Sequence, residues 1–160
     1  MYGDAFGVDA VFGHALSGPA DLLETRPILS FAGLDPVEVP SINRETHLAE
    51  KLHAYTAPRE TQNSRVKDLP DIAILASLGP LDGRALAEAI VNTFRTRRTH
   101  DVPLRVPAPP DEWRQAYERM AKEAGLPWTT LDAVTDAVAT FLDPVLQRRA
   151  VTWSPERWSW

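Results

Sequence analysis

One lysine and one aspartate stand where helical periodicity makes a charge expensive. In THLAEKLHAYT, residues 46–56, Leu48, Leu52 and Tyr55 fall at i, i+4 and i+7, one face of a 3.6-residue period. Lys51 comes three residues after Leu48, beside that apolar face. In VKDLPDIAILASL, residues 66–78, Leu69, Ile72, Ala73 and Ala76 mark one side of a second helix. Ile74, Leu75 and Leu78 cover the other side, so this helix is predicted to be apolar nearly all round and buried. Asp71 lies one turn before Leu75 and Leu78, on their side. A buried carboxylate costs several kcal/mol unless it is paired or ligates a cation. Lys51, Arg65 and Lys67 are the nearest basic residues in sequence. Two chemistries fit: an ion pair that ties two helices, or charges held ready for a ligand. On residue types alone the structural ion pair is the simpler account.

Three other groups could carry chemistry. Asp9 interrupts AFGVDAVFG, residues 5–13, a short apolar run flanked by glycines that reads as a strand. Phe6 and Val8 share one face of it, and Asp9 takes the other. The basic run RTRRTH places Arg95, Arg97, Arg98 and His100 at the end of a helix. The helix dipole favours cations there, and such a patch could also meet phosphates. His47 and His53 are six apart rather than four, so they do not share a helix face as zinc ligands would. No Gly-rich phosphate loop, G-x-S-x-G or H-E-x-x-H occurs.

The elements that must position these groups follow from punctuation. Pro27–Phe31 and Val37–Val39 read as short strands, each bounded by Pro or Gly, and His14–Leu23 as a loop. Ser41 or Asn43 can cap the first helix, with Glu45 in its opening turn. Pro58 and the polar run APRETQNS end it, and Gly79-Pro80 ends the second. Asp82 caps a third helix over 83–98, with Leu86, Ile90 and Phe94 as its stripe. VPLRVPAPP, residues 102–110, is an extended connector. A fourth helix over 111–124 carries Trp113, Tyr117, Met120 and Ala124 on one face. Thr129 caps a fifth, with Leu131, Val134, Val138 and Leu142 as its stripe, ending at Asp143-Pro144. Trp153, Trp158 and Trp160 read as core or helix-docking anchors.

Composition limits the rest. The chain has 160 residues, 44% hydrophobic and 24% charged, ordinary for a globular domain. A net charge of −5 argues against general electrostatic affinity for nucleic acid. Without cysteine, neither disulfides nor thiol chemistry enter. No apolar run approaches the ~20 residues that span a bilayer, and no secretory signal is visible, so the cytoplasm is the expected compartment. The fold class expected is α+β: short N-terminal strands over 1–42, a helical region over 43–101 and a C-terminal helical region over 102–160.

The order of residues in the first two helices adds more. HLAEKLHAYT followed by NSRVKDLPDIAIL resembles the signature of the AbiEii/AbiGii toxin family of nucleotidyltransferases, E-K-L-x-A and then R-x-K-D-x-x-D. The matching residues are Glu50, Lys51, Leu52 and Ala54, then Arg65, Lys67, Asp68 and Asp71. The resemblance runs from about Ala5 to Leu146. It implies a toxin of a toxin–antitoxin pair that transfers a nucleotide from a nucleoside triphosphate to an acceptor such as tRNA. It implies catalytic roles for Lys51, Asp71 and Asp68, and phosphate binding by Arg65 and Lys67. Asp9 matches a third carboxylate near the metal, and the N-terminal strands would be a remnant of the family's sheet. Magnesium would be held by an Asp-x-Asp after a Gly-Gly or Gly-Ser turn. This sequence contains none of the three. The expectation is therefore a C-terminal portion of such an enzyme, truncated and inactive alone. The alternative is a non-catalytic helical module that binds an antitoxin or another protein.

Overall fold

The computed structural model describes residues 7, 17–58 and 65–160. They form an α+β fold with two small antiparallel strand pairs and five α-helices. β1 (Asp21–Glu24) pairs with β2 (Glu38–Ser41), running from Asp21 opposite Ser41 to Glu24 opposite Glu38. β1 falls partly in the segment expected to be a loop; Leu22 and Leu23 acquire strand geometry because β2 supplies their ladder partners. Pro27–Phe31 is not a strand. Ser30–Ala32 makes one 3₁₀ turn, closed by Gly33 at φ 72°, whose N–H donates to Ser30 O. The strand expected over Ala5–Gly13, with Asp9, lies outside the described residues.

α1 (Arg44–Thr56) starts where Asn43 accepts from the Thr46 N–H at 3.0 Å. The Asn43 amide also donates to Ser17 O and Pro19 O, tying the preceding segment to the cap. A 3₁₀ turn at Arg65–Lys67 leads into α2 (Asp68–Ser77). α2 is not buried all round. Leu69, Ile72, Ala73 and Ala76 are enclosed, whereas Ile74 and Leu78 face solvent. The periodicity holds for one face; among the described residues, Ile74 and Leu78 on the other stay exposed.

Asp82 caps α3 (Gly83–Arg97) through the Ala85 N–H at 2.8 Å. Just before it, β3 (Leu81–Asp82) pairs with β4 (Thr152–Trp153), a pairing of mid-chain with the C-terminal tail that no local pattern announces. Gly83 is required there: a Cβ would meet the Ala150 backbone at about 2.7 Å. α4 (Arg114–Ala124) ends at Gly125, φ 63°. α5 (Leu131–Leu146) is capped by Thr130 rather than Thr129 and runs through Pro144 to Leu146. Proline in the last turn removes only one helical donor, and its carbonyl accepts from Arg149 and Ala150.

α1 packs on α2 and α3, and α5 on α2, α3 and α4. One core cluster runs from Leu48 to Trp153. The tail is anchored as expected. Trp153, Trp158 and Trp160 donate their indole N–H groups to the carbonyls of Ala76, Ala137 and Phe141. By contrast, Leu22, Leu23, Ile28, Phe31, Leu34, Val37 and Val39, all on or between β1 and β2, are exposed.

Candidate functional site

The packing of α1 on α2 brings the charged residues together. Lys51 leaves α1 beside Leu48 and Leu52 and reaches across to α2, where Nζ donates to Asp71 Oδ2 at 2.5 Å and lies 3.5 Å from Asp68 Oδ1. Arg65, one turn ahead of Asp68, places Nε 3.8 Å from Asp68 Oδ2. The three anionic and cationic partners differ in depth. Asp68 has only 3% of its side chain exposed, Lys51 26% and Asp71 40%. The carboxylate that sequence periodicity sets inside an apolar environment was Asp71; the one the fold buries is Asp68. Asp68 opens α2 on the same side as Leu69 and Ile72, against α1, whereas Asp71 sits toward the uncovered side with Ile74 and Leu78.

Depth decides the electrostatics. Burial pushes the Asp68 carboxyl above the usual carboxylate range, against the pull of Lys51 and Arg65. Its Oδ2 is buried and accepts no hydrogen bond among the described residues. Burial works against the Lys51 charge, but the hydrogen bond and charge of Asp71, with the charge of Asp68, outweigh it and hold the ammonium above its ordinary pKa. Lys51 is therefore a firmly protonated cation across the physiological range. It suits charge neutralisation and is unsuited to act as a base.

This cluster borders an open cleft of about 430 Å³. Lys51, Arg65 and Asp68 line one side; Glu50 and His53 from α1 and Arg97 from α3 line the other. Arg97 Nη2 meets Glu50 Oε2 at 2.9 Å. The sequence placed Arg97 in a basic patch with Arg95, Arg98 and His100. The fold splits that patch. Only Arg97 enters the cleft, Arg95 bonds Asn92 on its own helix, and His100 turns to His53 and Thr56. Thus the structure joins Lys51, Asp68, Asp71 and Arg65. It leaves Lys67 exposed and off the cleft lining, and Asp9 is outside the described residues. Glu50, a motif residue with no role assigned from the sequence, and Arg97, from the run read as able to meet phosphates, both line the cleft. The pairing of residue 50 with residue 97 has no sequence signal short of the fold.

Among the described residues, no three His, Asp or Glu side chains converge to hold a metal ion. Asp68 and Asp71 both face the Lys51 ammonium, which takes the place a cation would occupy. The described residues therefore do not fit a magnesium site. No helix among them is long and apolar enough to cross a membrane.

The fold and this site define an α+β protein whose first two helices hold a lysine against two carboxylates beside a charged cleft. The chain matches the model of the family described as nucleotidyl transferase AbiEii toxin, type IV TA system, over residues 2–140, and it belongs to that family. It is thus a nucleotidyltransferase-like member of a toxin–antitoxin family. A comparison with curated proteins gave no match.

Proposed function

We propose that this chain supplies the phosphate-neutralising half of a nucleotidyl transfer site, with Lys51 at its centre. The supporting observation is Lys51 Nζ held at 2.5 Å by Asp71 and beside the buried Asp68, at the edge of an open cleft. In the reaction, an acceptor hydroxyl oxygen bonds to the α-phosphorus of a nucleoside triphosphate as the bond to pyrophosphate breaks. Lys51 offsets charge on the phosphates, and Arg65 adds to it. Asp71 either fixes Lys51 from its exposed side or takes the hydroxyl proton; Asp68 holds Lys51 from below. Positioning and charge stabilisation carry most of such catalysis. The acceptor proposed is an RNA end such as that of tRNA. The metal that such a transfer uses is assigned to carboxylates other than the described ones, and none of these roles runs through it.

The chain by itself is proposed to be inactive, because its sequence holds no Asp-x-Asp after a Gly-Gly or Gly-Ser turn. Incubation with labelled nucleoside triphosphates, magnesium and tRNA should leave the tRNA unlabelled. Labelling that vanishes in Lys51→Met would overturn the inactivity and keep the site. Labelling that survives Lys51→Met would end the assignment of Lys51.

A second reading has its own observation. The apolar side chains of the β1–β2 region, including Leu22, Phe31 and Val37, are exposed together, as on surfaces that bind other proteins. In this reading the chain is a non-catalytic module that binds an antitoxin or another protein. Co-purification with the cognate antitoxin, lost in Phe31→Ser with Val37→Ser, would favour it. An antitoxin complex indifferent to both changes would dismiss it.

A further inference from the structure

The cleft beside Lys51 is neutralised from within. Each cation that lines it faces a carboxylate: Lys51 faces Asp71 and Asp68, Arg65 faces Asp68, and Arg97 faces Glu50. These pairs differ in how easily a ligand could take the cation. Asp68 is buried and fixed at the start of α2, so it stays with Lys51 and Arg65. The Glu50–Arg97 pair joins two helices and borders the opening, with 39% of the Arg97 side chain exposed. Glu50 precedes Lys51 by one residue. Adjacent residues on a helix point about 100° apart, so α1 sends Lys51 toward α2 and Glu50 toward α3, with the cleft between.

Resting on the reading of Lys51 as a phosphate-neutralising group, we propose that Arg97 is a second phosphate-binding residue and Glu50 its built-in counter-ion. A ligand claims Arg97 by displacing the Glu50 carboxylate. The planar guanidinium can then take phosphate oxygens two at a time, as it does carboxylates. A monophosphate offers little more charge than the carboxylate it must displace. A polyphosphate can span Lys51 and Arg97 together. The Glu50–Arg97 pair therefore selects for a chain of phosphates, the triphosphate of a nucleotide, over a single phosphate.

The test is binding of inorganic tripolyphosphate, ATP and orthophosphate to the 160-residue chain at low ionic strength, by calorimetry. Arg97→Gln should weaken tripolyphosphate and ATP about tenfold or more, the scale of a charge-assisted pair. Glu50→Gln should tighten both about threefold and narrow the preference over orthophosphate. That gain should vanish in the Arg97→Gln background. Arg97→Lys should keep part of the affinity, since it keeps the charge without the fork. Circular dichroism of each variant checks the fold. Wild-type affinity in Arg97→Gln, or no tripolyphosphate binding by the wild type, overturns the inference. The two ideas fail separately. If Lys51→Met abolishes binding and Arg97→Gln does not, the Lys51 site stands and the role of Arg97 is lost. The reverse pattern keeps Arg97 and removes Lys51.

Discussion

Lys51 on α1 and Asp68 on α2 lie 3.5 Å apart with very different exposure, 26% and 3% of their side chains. Their removal should therefore be asymmetric. Lys51→Met leaves the buried Asp68 carboxylate with Arg65 alone and should cost about 3 kcal/mol, the lower end for a broken buried pair. Asp68→Asn relieves a poorly solvated charge and leaves Lys51 its bond to Asp71, so it should cost under about 1 kcal/mol. The double variant should recover most of the loss from Lys51→Met. The pH dependence has a definite sign. The Asp68 pKa is raised in the fold, so ionising it costs stability as pH rises through that range. The Lys51→Met penalty should be full at neutral pH and shrink as acid protonates Asp68. Denaturant unfolding between about pH 4 and 7, the carboxylate range and above, measures this. Equal costs for the two single variants would refute the asymmetry.

A histidine pair sets a second pH response. His53 Nε2 lies 2.7 Å from Thr99 Oγ1, and His100 Nε2 lies 2.7 Å from Thr56 Oγ1, so the two rings clamp the ends of α1 and α3. Their centroids are 4.7 Å apart. Burial lowers both pKa values below the ordinary 6.5; the charge of His100 adds to the effect on His53, and Glu50 opposes it. The fold therefore prefers both rings neutral. Their stabilising contribution is complete above pH 6.5 and falls away as pH drops from there through the lowered values. His100→Gln should flatten that decline in a melting-temperature profile. An unchanged profile would show that the clamp does not titrate in this window.

Gly83 offers a purely steric test. Its position under Ala150 brings the start of α3 against the C-terminal tail, with Gly83 N–H donating to Val151 O at 2.8 Å. Gly83→Ala should destabilise by about 1–3 kcal/mol through overpacking, despite the better helix propensity of alanine. Thermal unfolding reads the sign: a stabilised variant would mean that the Ala150 backbone gives way.

Trp153 is fully buried, stacks edge-on with Phe141 at 4.8 Å and donates to Ala76 O at 2.8 Å. It joins the tail to both α2 and α5. Trp153→Ala should cost about 3–5 kcal/mol, as for other buried aromatic truncations. Trp153→Phe should cost less, losing chiefly the bond to Ala76. Chemical denaturation of both variants compares packing with hydrogen bonding, and equal losses would assign the effect to the bond alone.

Sequence by itself determined the helices and the partners within them. The stripes Leu48–Leu52–Tyr55, Leu86–Ile90–Phe94 and Leu131–Val134–Val138 each bury as their spacing requires, because a helix repeats every 3.6 residues whatever packs on it. The order E-K-L-x-A and R-x-K-D-x-x-D marked the family; the packing of α1 on α2 then brought Lys51 to Asp71. Tertiary structure decided the rest. Periodicity says which face of α2 is apolar but not whether another element covers it, so it could not tell that Asp68 is buried and Asp71 half exposed. Strands as short as Leu81–Asp82 carry no local signal, since their hydrogen bonds are made 70 residues away, at Thr152–Trp153. The same holds for Glu50 and Arg97, whose 2.9 Å pair exists only because α1 and α3 lie side by side.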